Sequence, residues 1–158
     1  MKTLILYSTT YGYAEEIANA LANKYGEAVV QNIQKNKTVD LSAYDHVVLG
    51  GSVYMGKIHK DLSTFALDHE NELLDKKLGL FICCLFGDKF MEEMQANFPA
   101  KLIEHAYVTE NFGGKLQVEK MSFLHKTIMK MVAKSSQGKG PVEAYPQRVE
   151  HFVQAANI

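Results

Sequence analysis

The sequence is short of three things: net charge, cysteine and long apolar runs. Its 17 Lys and Arg against 18 Asp and Glu leave a formal charge of −1. That gives no general case for binding nucleic acid and no overall excess of one sign for a charged docking face. No stretch reaches the ~18 consecutive apolar residues of a membrane span. Met1-Lys2-Thr3 leads only into Leu4-Ile5-Leu6-Tyr7, too short a core for a signal peptide and without a small-residue cleavage site. A cytoplasmic location is expected. The two cysteines, Cys83 and Cys84, are adjacent in an apolar run. They cannot make a disulfide framework or a zinc set, and read as reduced thiols in a buried strand.

What is present is an alternation of two periods over 158 residues. Thr3 to Tyr7 is a continuous apolar run, as in a parallel strand buried on both faces. Ala14, Ile17, Ala18, Leu21, Ala22 and Tyr25 then fall on one helical stripe, which Gly26 is placed to end. Ala28 to Ile33 includes Gln31 and Asn32 and fits a strand near a sheet edge. Asp45 to Gly51 is a second buried strand. Leu62, Phe65, Ala66 and Leu73 mark the inner side of the next helix. Leu78 to Leu85 is a third buried strand, followed by Phe90, Met91, Met94 and Phe98 at helical spacing. Tyr107 to Phe112 is the last strand. Pro146 is placed to open a final helix with Val149, Phe152, Val153 and Ala156 inward. Five strands alternating with helices predict one α/β domain over 1–158, a parallel sheet covered on both faces. Its expected order is 2-1-3-4-5, with the ligand at the carboxyl ends of the strands.

Three loops fall at that rim. The first, Ser8-Thr9-Thr10-Tyr11-Gly12-Tyr13-Ala14, lies between a strand and a helix. Free backbone N–H groups and the helix dipole there favour an anion, and the hydroxyls can add donors, so the loop suits a phosphate. It lacks G-x-x-x-x-G-K-[ST] and G-x-G-x-x-G, and no acid follows the next strand for a ribose hydroxyl. A mononucleotide fits better than a dinucleotide. The second loop runs Gly50-Gly51-Ser52-Val53-Tyr54-Met55-Gly56, with Tyr54 and Met55 offering an apolar wall to a ring system. Gly50-Gly51-Ser52 is no hydrolase elbow, because Tyr54 stands where that motif needs glycine. The third is Leu85-Phe86-Gly87-Asp88. A phosphoreceiver domain would share the strand order, but it needs acids where this chain has Ser8-Thr9 and Gly50-Gly51.

The run Ile5-Leu6-Tyr7-Ser8-Thr9-Thr10-Tyr11-Gly12-Tyr13-Ala14-Glu15-Glu16-Ile17-Ala18 resembles the flavodoxin signature, with Ala14 where that family usually has threonine. The resemblance implies a flavodoxin-like three-layer sandwich, FMN as cofactor and its phosphate on the first loop. A narrower resemblance is to the flavodoxin-like, quinone-dependent protoporphyrinogen IX dehydrogenases. It runs through Met1-Lys2-Thr3-Leu4-Ile5-Leu6, through Tyr44-Asp45-His46-Val47-Val48-Leu49-Gly50 with Gly56 and His59 beyond, and through Ile128-Met129-Lys130-Met131. That type usually carries a longer insertion after the third buried strand, where this chain passes directly from Phe86-Gly87-Asp88 toward a helix.

The resemblance implies an FMN oxidoreductase with a quinone partner or, alternatively, an electron carrier between proteins. In either, the flavin carries the chemistry and no protein side chain is assigned as catalytic. Its ring is expected between the second and third loops, with Tyr54 the stacking candidate. With no cation expected beside the ring, its potential should be low. A second feature is a basic helix over 119–134, within a segment 115–140 inserted before the last helix. Between Lys115 and Lys139 six lysines face one acid, Glu119. Such a helix can lie on an anionic membrane surface, close over a greasy substrate such as a quinone, or pack on the domain with a solvated lysine face. His59 follows the second loop, and His125 falls on the apolar side of the basic helix; each is read first as structural.

Overall fold

The computed structural model describes residues 1–114 and 147–157. The basic segment 119–134, His125 and Pro146 lie outside them. Five strands form one parallel sheet: β1 (Thr3–Ser8), β2 (Ala28–Asn32), β3 (His46–Ser52), β4 (Lys77–Cys83) and β5 (Val108–Asn111), in the order β2-β1-β3-β4-β5. The predicted order is therefore the observed one. β1, β3 and β4 are buried along nearly their whole length, whereas β2 at the edge is only partly covered.

Two apolar layers follow from that burial. On one face α1 (Tyr13–Tyr25) and α6 (Arg148–Ala155) cover Ile5, Tyr7, Val48 and Phe81. On the other, α2 (Lys60–Asp68), α3 (Glu70–Leu74), α4 (Phe90–Asn97) and α5 (Ala100–His105) cover Leu4, Leu6, Leu49 and Leu80. The period of two within each strand sorts these side chains to opposite faces. Gly50 lies directly under the Phe81 ring; a Cβ there would fall 2.1 Å from Phe81 Cε1.

Local details depart from the periodicity. The helix expected through Leu62 and Leu73 is two helices, because His69 leaves helical geometry at φ −108 and ψ 20. Both still bury the predicted residues. Met91 is 45% exposed while Met94 is fully buried, so the inner face of α4 is Glu93, Met94 and Asn97, with Phe90 half-buried and Phe98 buried just past its end. Pro99 opens α5, an element the apolar spacing did not reveal.

Candidate functional site

The carboxyl ends of β1, β3 and β4 bring the three loops to one rim. In the first, Gly12 holds the left-handed conformation (φ 95) that glycine adopts without strain, and opens α1 with no side-chain cap. The Thr9 hydroxyl accepts from Gly12 N–H at 2.9 Å, which leaves its own hydrogen to donate outward. Thr9 N–H donates to Gln34 Oε1 at 2.7 Å, so a residue beyond β2 steadies the loop. Thr10 is exposed. Tyr13 turns inward: its ring is buried and its hydroxyl donates to the Phe112 carbonyl at 2.7 Å. Ala14 is fully buried in the same core. These two can serve a ligand only through their backbone.

The second loop is a tight hairpin. Tyr54 and Lys57 exchange backbone hydrogen bonds of 2.8 and 3.0 Å, with positive φ at Met55 (52) and Gly56 (78) between them. Two positive-φ residues in a two-residue connection make a type I′ turn, natural for Gly56 and strained for Met55. Asn97 of α4 holds this hairpin from below. Its Oδ1 accepts from Ile58 N–H at 2.9 Å, and its Nδ2 donates to the carbonyls of Gly56 and Glu93 at 3.0 and 2.7 Å. Burial, with Tyr54 nearby, raises the Tyr11 phenol above its ordinary value, so the first and second loops meet there.

The third loop is pinned by a second buried amide. Asn111 Oδ1 accepts from Cys84 N–H at 3.0 Å and Gly113 N–H at 2.9 Å. Between the second and third loops lies a cleft of about 290 Å³, lined by Val53, Met55, Leu85, Phe86, Lys89 and Glu93 among others. Gly87 and Asp88 are exposed beside it. Against the expectation of no cation beside the ring, Lys89, one residue past the third loop, is in the lining. Asn97, Asn111 and Gln34 also went unseen. A polar amide within an otherwise apolar stripe was the only signal for the first of them.

Cys83 and Cys84 are buried free thiols, as expected. Burial pushes Cys84 up to about 12 and Cys83 also far upward, so neither forms a thiolate near neutral pH. His59 caps α2, its Nδ1 accepting from Asp61 N–H at 3.2 Å, and is not in the cleft lining.

FMN asks for anion donors, a polar passage and an apolar slot for its ring. The uncapped start of α1 meets the first need. For the second, the unmet polar atom at the end of β1 is Ser8 Oγ, buried without a hydrogen-bond partner. A Cβ at neighbouring Gly51 would crowd that oxygen to 2.6 Å. The cleft meets the third, so the residues present fit the group.

Comparison with known proteins agrees. Residues 4–142 match the Flavodoxin domain family. Protoporphyrinogen IX dehydrogenase [quinone] of Escherichia coli (strain K12) is 36% identical over 77 residues, which is 46% of this chain and 42% of that protein. The match thus spans less than half of the relative's length. Among solved structures, the WrbA-like flavodoxin of Agrobacterium tumefaciens superposes with a TM-score of 0.56 at 18% identity, over 99% of this chain and 95% of that one. Flavodoxin 2 of Bacillus cereus gives 0.54 at 24%, over 83% and 99%. At such identities the likeness is one of fold. The chain belongs to the flavodoxin domain family, and FMN is its cofactor.

Proposed function

We propose that the chain is an FMN-dependent oxidoreductase that passes reducing equivalents from a protoporphyrinogen-like donor to a quinone. The observation that carries the reading is the largely apolar cleft between the second and third loops, at the same carboxyl rim of the sheet as the uncapped start of α1. The stretch shared with the Escherichia coli dehydrogenase supports the substrate class. When bound, FMN supplies reversible two-electron transfer. The chain's own residues do the rest. Thr9, Thr10 and the backbone of 11–14 hold the phosphate with neutral donors. Gly51 and Ser52, at the end of β3, line the passage beside Ser8. Val53, Tyr54, Met55 and Gly56 form one wall of the ring site, and Leu85, Phe86, Gly87 and Asp88 the other. Lys89 is offset by Glu92 in the lining, so no net positive charge favours added negative charge there, which gives a low potential. The lysine-rich sequence 119–134 supplies a contact with an anionic membrane surface, where quinones partition.

The test has two steps. FMN added to the purified protein is expected to bind and colour it yellow. The loaded protein is then offered protoporphyrinogen with menaquinone and, separately, a flavodoxin reductase. Turnover of the first pair supports the enzyme. One-electron exchange with the reductase alone makes the chain a carrier between proteins, the reading favoured by the short connection from Phe86 to α4.

A further inference from the structure

Glu93 is the one carboxyl buried in the cleft. The residue is only 9% exposed, and its Oε2 is buried with no hydrogen-bond partner. It stands on α4 with its main chain fixed, since its carbonyl accepts from Asn97 at 2.7 Å. From β4's end the Cys84 thiol lies against the carboxyl. The turn before α4 brings Asp88 and Lys89 near, and α4 itself brings Glu92. The second loop adds Val53, Met55 and Gly56 to the lining, none of them charged. An acid in such a place is costly when ionised and has no structural partner for Oε2 that would repay the cost.

We propose that Glu93 is the proton-exchanging residue of the cleft, taking a proton from water when the bound cofactor is reduced and releasing it on oxidation. The inference rests on the FMN reading above and goes beyond it by assigning this carboxyl. The balance is simple. Two electrons and one proton from the donor would enter the cofactor and add one negative charge, and the Glu93 carboxylate becomes a carboxylic acid with one further proton from solvent. When the pair leaves for the acceptor, that proton returns to solvent. Burial already holds the carboxyl above its ordinary value, with Glu92 and Asp88 adding to the rise and Cys84 and Lys89 opposing it. Negative charge arriving in the same cleft raises it further. Between the two values, one in each redox state, protonation is linked to reduction.

The experiment uses FMN-loaded wild type and E93Q, with E93D as a second variant. FMN binding is measured first by fluorescence quenching, so that only loaded protein is compared. Midpoint potential is then followed from about pH 5 to about pH 9. Proton uptake on reduction is read with an indicator in weak buffer. The wild type is expected to show a window in which the potential falls more steeply with pH and extra protons, up to about one per cofactor, are taken up. E93Q loses both signatures, and E93D keeps them at a shifted pH. Equal slopes and equal uptake in loaded wild type and E93Q overturn the role of Glu93 and leave the FMN reading standing. Failure of the wild type to bind FMN overturns both.

Discussion

The two ends of the parallel sheet bury polar groups in opposite ways. At the amino edge, His46 is fully buried yet both ring nitrogens are engaged, Nδ1 with Thr3 Oγ1 at 3.1 Å and Nε2 with Tyr107 Oη at 2.9 Å. Tyr107 continues to Tyr25 Oη at 3.0 Å. At the carboxyl rim, Ser8 Oγ and Glu93 Oε2 are buried without partners, and among the described residues they are the only such side-chain atoms. The rim also holds positive φ at Gly12, Met55 and Gly56. Positive φ occurs at the amino end too, at Gly26 and Asn157, so the contrast lies in hydrogen bonding: among the described residues, only the rim keeps buried side-chain atoms without partners. The difference supports the proposed ligand site by an observation independent of any relative.

Three changes would break or sharpen that contrast. The largest effect is expected for Asn97→Ala, which removes the amide under the second loop and leaves Ile58 N–H and Gly56 C=O unpaired. A loss of about 2–4 kcal/mol in urea unfolding should accompany FMN affinity weakened by about tenfold or more. Equal affinity would show that the hairpin needs no clamp.

Next comes pH at the amino edge. Burial, then the charge of Lys77, lowers His46 from 6.5 to about 4. The unfolded chain therefore binds this proton at a higher pH than the folded one. The stability is fully present above 6.5 and is lost as pH falls through the window down to about 4. The slope contributed is at most about 1.4 kcal/mol per pH unit. Urea titrations at stepped pH check it, and His46→Asn should flatten that part of the curve. A slope that persists in the variant would assign the loss to other groups.

The smallest effect is Ser8→Ala. Because its Oγ has no partner, cofactor-free stability should change by less than about 0.5 kcal/mol. FMN should bind about three- to tenfold more weakly, as for one lost hydrogen bond. A large loss of stability instead would place Ser8 with the structural amino edge.

The features repeated along the chain were readable from it. Apolar runs gave β1, β3 and β4, the polar Gln31 and Asn32 gave the edge position of β2, and the breaks between runs gave the three loops. What escaped depends on partners distant in sequence. Asn97 meets Gly56 and Ile58, Asn111 meets Cys84, and Gln34 meets Thr9; no local period announces such pairs. Tyr13 was legible as a loop residue but not as an inward one, because its direction is set by Phe112, far along the chain. The break at His69 was hidden for a different reason: apolar spacing carries on through it although the backbone does not.

Because every strand runs the same way, each connection that leaves β1, β3 or β4 emerges on one side of the molecule, while the opposite side is fastened by His46 and its hydroxyl partners. Foldability and recognition are thereby written in separate stretches of sequence. An engineer would vary side chains on the second and third loops while keeping Gly56, whose positive φ and Asn97 contact the hairpin requires, and leave the apolar runs of the sheet untouched.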